Sequence, residues 1–170
     1  MTVIVNILAH TPPWVFPLIA AVIWLGSIGL YDRAVPLLLL FVLPVVLLAM
    51  SIATAIGTSA PPLAAASGWV AAAAVGGLLG WSSAEKPREI DPMAARIIIP
   101  GSPIPLIVCI AIVTWRYLFG YLYGRYPALL ANERYALAFI AGTALLAGVM
   151  FGRLCRYGAW YWRRARPRNT

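Results

Sequence analysis

Apolar residues run along this chain in five long blocks, closed by proline, glycine or charge, and charged positions almost never interrupt a block. The blocks fall at about 13–31, 35–57, 62–81, 102–124 and 134–156. Each is close to the roughly 20 residues that an α-helix needs to cross about 30 Å of hydrocarbon. The period-2 alternation of a membrane barrel is absent, so the backbone must satisfy its own hydrogen bonds as helices. The pattern predicts an all-α transmembrane bundle of five spans forming one integral membrane domain over 1–170.

The blocks differ in kind. The second contains "VPLLLLFVLPVVLLAM", nearly all large aliphatics, and is expected to face lipid on most sides, with a kink at Pro44. The third, "LAAASGWVAAAAVGGLLGW", is alanine and glycine, and Gly76 and Gly80 form a G-x-x-x-G pair. Small side chains let helix backbones approach closely, so this span is expected inside the bundle or at a dimer contact. The connection 82–100 holds three of the five acidic residues and is expected on the cytoplasmic side. Its end, "ARIIIPGS", has a β-branched run before a Pro-Gly turn and is expected to be extended. The fourth block opens with Ser102 as predicted N-cap and Pro103 at the first helical position. Beyond the fifth, the tail 157–170 is rich in tryptophan, tyrosine and arginine, the residues of a membrane interface.

Composition agrees with this reading. The chain is 62% apolar and 11% charged, with a mean hydropathy of +0.86, outside the range of water-soluble domains. The net charge is +8, and the positive residues cluster in the 82–100 connection and in the C-terminal stretch "RLCRYGAWYWRRARPRNT", which reads as a solvated, lipid-facing anchor. With the N-terminus outside, ten Lys and Arg residues fall on the cytoplasmic side and two, Arg125 and Arg134, outside. The positive-inside rule therefore predicts an N-out, C-in arrangement. Basic residues beside a membrane attract anionic headgroups, at about 1 kcal/mol each, which makes Arg163, Arg164, Arg166 and Arg168 candidate lipid contacts. Nucleic acid is not expected as a partner, because no recognition motif accompanies the charge. The segment "MTVIVNILAHTPPW" lacks the positive region of a secretory signal, so the first block is expected to be retained.

One charge stands near the middle of a block. Arg116 lies slightly past the middle of 102–124, where arginine costs roughly 2.5–3.5 kcal/mol on insertion scales. No carboxylate lies within any block to pair with it. The expected partners are helix carbonyls, the Tyr117 hydroxyl, Ser27 or Ser51. Two readings follow. The side chain snorkels about 12 Å to the outer interface, with Trp115, Tyr117, Tyr121 and Tyr123 as an aromatic belt. Alternatively, Arg116 and Tyr117 contact a lipid or small anion within the membrane.

Other chemistry is sparse. Cys109 and Cys155 form no C-x-x-C pair and read as small apolar residues. His10 is the only histidine, too few for a metal or bis-histidine haem site in one protomer. Ser82, Ser83 and Ser102 have no base in a recognisable arrangement. No catalytic residue, cofactor or metal is expected.

The stretches "HTPPWV" before the first block, "IPGSPIPL" leading into the fourth, and Arg116-Tyr117 resemble a family of uncharacterised bacterial inner-membrane proteins, a domain of unknown function. The resemblance covers most of the chain and implies a multi-pass inner-membrane protein; it supplies no catalytic residues. The leading expectation is a non-enzymatic component that packs with itself, another membrane protein or anionic lipid. The alternative is a small homo-oligomeric transporter or channel for an anionic solute, using Arg116.

Overall fold

The computed structural model describes residues 31–91, 96–126, 128 and 132–165. Residues 13–30 of the first block, Ser27 among them, and His10, Arg166 and Arg168 lie outside the described residues. In chain order the elements are β1 (Arg33–Pro36), α1 (Leu37–Ile56), α2 (Pro62–Ser83), β2 (Glu89–Asp91), β3 (Arg96–Ile99), α3 (Ile104–Arg125) and α4 (Glu133–Ala165). The fold is helical, and α2, α3 and α4 are long and apolar enough to cross a membrane. At 22 residues, α2 and α3 each span about 33 Å.

The helix boundaries follow local chemistry. Proline at 61 and 62 starts α2, where amide donors lack partners in any case. α3 starts one residue later than the sequence predicts, with Pro103 at the cap position. The Ser102 hydroxyl still serves this end, accepting the Ile104 N–H at 3.4 Å. Pro44 lies inside α1, whose outer face carries exposed Val42, Val45, Val46 and Met50.

A small three-stranded sheet adds to the all-α expectation. Its order is β1-β3-β2, both pairings antiparallel, with Arg33 opposite Ile99 and Glu89 opposite Ile98. The "RIII" run is extended, as its β-branched residues predict, and supplies the central strand. The 82–100 connection is thereby joined to the residues that precede α1. Pro36, which cannot donate a ladder hydrogen bond, sits on an edge strand. Asp32 reinforces the junction by an ion pair to Arg88 at 2.5 Å and by accepting the Gly101 N–H at 2.9 Å.

Among the described residues the core lies along α4, which packs against α1, α2 and α3. α2 meets α4 through a small-residue face that buries Gly76 and Gly80, while Leu63, Val70 and Leu78 are exposed. Residues 157–165 continue α4 without a break, giving a 33-residue helix about 50 Å long, and Tyr157 and Gly158 are buried.

Candidate functional site

Gly76 and Gly80 set the distance between α2 and α4. A Cβ added at Gly76 falls on the Leu145 carbonyl, and one at Gly80 on the Val149 carbonyl. The fit is reciprocal, because Gly148 and Gly152 of α4 press on the backbones of Ala73 and Gly77. Two backbones thus meet with no side chain between them. The pair Gly148-x-x-x-Gly152 escaped the sequence reading, although it repeats the Gly76-x-x-x-Gly80 spacing and so carried a usable signal.

The same seam ends in an arginine cluster. Arg153 is 4% exposed, although its place among the tail arginines suggested a solvated charge. It donates to the Ser83 carbonyl at 2.8 Å, the Tyr157 hydroxyl at 3.2 Å and the Ser102 hydroxyl at 3.5 Å. Arg156 donates to the Trp81 carbonyl and to the Ser82 carbonyl at 3.3 Å, while its guanidinium lies 4.9 Å from the Trp160 ring centre. These carbonyls are the last of α2, whose helix dipole leaves partial negative charge there. Two cations on α4 supply the cap. Past them, Trp162, Arg163 and Arg164 are exposed on the final turns of α4.

Arg116 occupies a different setting. It is half-buried, and its Nη2 donates to Thr54 Oγ1 of α1 at 3.1 Å; Ser51, one of the expected partners, instead accepts the Trp69 Nε1–H at 2.9 Å. Tyr117 is half-buried beside it in sequence. The predicted aromatic belt divides. Tyr121 is exposed, whereas Trp115 and Tyr123 join Phe119 and Phe139 in a cluster between α3 and α4, with Phe119 stacked on Phe139 at 4.9 Å. Gly142 makes room for the Trp115 indole, whose Nε1–H points to the Phe139 carbonyl at 3.4 Å.

Thr54 also forms part of a recess of about 430 Å³, lined with Gly57, Thr58, Ser59, Tyr123, Ala136 and Phe139. Sequence reasoning missed this grouping because it draws on α1, the loop after it, α3 and α4. Elsewhere chemistry is thin among the described residues. No group of three or more metal-ligating side chains occurs, Cys109 and Cys155 form no disulfide, and the Ser82 and Ser83 hydroxyls donate to carbonyls of their own helix.

The sequence profile of a family of unknown function, DUF6622, covers residues 1–168. The chain belongs to DUF6622. The resemblance carried by "HTPPWV", "IPGSPIPL" and Arg116-Tyr117 is therefore to a family of the kind expected, one without an assigned activity. No curated protein and no solved structure matches this DUF6622 chain.

Proposed function

We propose that the protein is a non-enzymatic, multi-pass component of the bacterial inner membrane that engages anionic lipid at its basic end. The carrying observation is the extension of α4 beyond its seam with α2. Arg153 and Arg156 are committed to α2 carbonyls, so the next turns stand on an anchored helix and present Trp162, Arg163 and Arg164 outward. Tryptophan beside arginine suits the headgroup layer, where an apolar ring and a cation are both accommodated. Arg166 and Arg168 extend the same basic sequence.

In this proposal the 13–31 block and α1 complete a five-span, N-out, C-in bundle. Reporter fusions at Ser59 and after Thr170 should read outside and inside respectively; any other pair of results rejects the topology. Native mass spectrometry of protein extracted with its own lipids tests the lipid contact. Wild type should retain phosphatidylglycerol or cardiolipin in preference to neutral lipid, and the double variant Arg163→Gln, Arg164→Gln should lose that preference. Equal lipid profiles reject the contact.

A second reading, a homo-oligomeric transporter or channel for an anionic solute, is favoured by the bond from Arg116 to Thr54 on the recess wall. It predicts that Arg116→Leu abolishes anion uptake into vesicles while the protein still folds.

A further inference from the structure

Among the described residues, no ion pair joins Arg116 to a carboxylate. The α3 sequence contains no Asp or Glu, and the described carboxylate side chains are those of Asp32, Glu85, Glu89 and Glu133. The ion pair among them is Asp32 with Arg88, in the sheet region and not on α3. Arg116 instead spends one donor on a neutral hydroxyl, Thr54, whose own proton goes to the Met50 carbonyl at 2.8 Å. A guanidinium carries five donors and a fixed positive charge. Within an apolar helix such a charge is retained where an anion or a polar cavity compensates it.

The cavity is adjacent. Thr54 belongs to the wall of the 430 Å³ recess, within the range of about 300–1,000 Å³ common for small-ligand sites. Tyr123 of that wall lies seven residues from Arg116, two helical turns along the same face of α3. The lining combines hydroxyl groups from Thr54, Thr58, Ser59 and Tyr123 with the apolar surfaces of Phe139 and Ala136. Phe139 is held by its stack on Phe119, and Tyr123 meets both rings edge-on, so this wall is fixed before any ligand arrives.

We infer that the recess binds an amphipathic anion, whose carboxylate or phosphate head is held by the remaining donors of Arg116 at the Thr54 end and whose apolar body lies on Phe139 and Tyr123. The site shares Arg116 with the transport reading but requires no transport, and it is separate from the lipid contact at the end of α4. Its test reads binding, so it can succeed where anion uptake fails.

The full chain, delipidated in detergent, is titrated with dodecanoate and followed by native mass spectrometry. Wild type should bind one equivalent, and Arg116→Gln should weaken it at least tenfold. Because Arg116→Gln also removes a bond between α3 and α1, Thr58→Trp provides a second arm that keeps the arginine and fills the recess. It should lose the bound equivalent while its unfolding temperature matches wild type. Displacement of dodecanoate by phosphatidylglycerol identifies a bilayer lipid as the natural source of the head group, and retention against that lipid identifies a free amphipathic acid. Unchanged affinity in either variant, or no bound equivalent in wild type, overturns the site.

Discussion

α2 and α3 are both 22-residue apolar helices, each carries glycines four residues apart, and each lies against α4, yet they meet it in different ways. Gly76 and Gly80 of α2 are covered by α4 backbone, whereas a Cβ built at Gly120 or Gly124 of α3 meets nothing within 4 Å. α3 reaches α4 through aromatic rings instead. The same spacing thus serves two situations, and what separates them is the partner. α4 offers Gly148 and Gly152 to α2, and against α3 it offers Gly142 and Phe139, which accept side chains. In a bilayer, where apolar burial between helices contributes little, dispersion over a backbone-to-backbone seam is the main attraction available.

The largest effect should come from closing that seam to itself. Gly80→Val places side-chain carbon on the Val149 carbonyl, which cannot rotate away, and should destabilise by about 3 kcal/mol or more, read as a lowered denaturant midpoint in micelles. Wild-type stability in this variant removes the seam as the organising contact.

Next comes the cap at the end of the seam. Arg153→Leu leaves the Ser83 carbonyl and Tyr157 hydroxyl without their charged donor and should cost roughly 1–3 kcal/mol by the same measurement. Protease cleavage near Ser83 should rise in parallel.

A smaller effect belongs to the α3 side. Gly142→Ala meets the Trp115 indole, a side chain that can shift, so the cost should be near 1 kcal/mol, with a change in tryptophan emission as Trp115 moves. A loss as large as that of Gly80→Val removes the distinction between the two contacts.

The smallest effects sharpen it most. Gly77 is adjacent to Gly76, yet its own Cβ position is open, as are those at Gly120 and Gly124. Gly77→Ala and Gly120→Ala should each be neutral or stabilising by up to about 1 kcal/mol, since alanine favours the helix. Destabilisation at Gly77 would place the seam on the wrong face of α2.

Much of this was legible in the pattern of residues. The runs that form α2, α3 and most of α4 are separated by proline, glycine and charge, and the extended conformation of 96–99 follows from three consecutive isoleucines before Pro-Gly. The pairing of β3 with β1 was not legible, because nothing local in "RAVP" announces a partner so far along the chain. Arg153 was hidden for a related reason. Read along the sequence it is one of several tail arginines, and only the passage of α4 alongside the last turn of α2 turns it into a buried cap. For Arg116 the sequence identified an unusual charge, while the Thr54 contact and the recess arise from helices that are distant in the chain.

The clasp between Asp32 and Gly101 joins residues 69 positions apart, and that separation has a meaning in time. During synthesis at about 5–20 residues per second, Asp32 emerges roughly 3 to 14 seconds before its partner. Throughout that interval β1 has no β3 to pair with, and α1 and α2 are both complete before the strand that joins their shared end exists. The sheet is therefore a late fastening, made only after the first described helix pair has been produced. A ribosome stalled before residue 96 would hold a chain with α1 and α2 but without the strand that ties them.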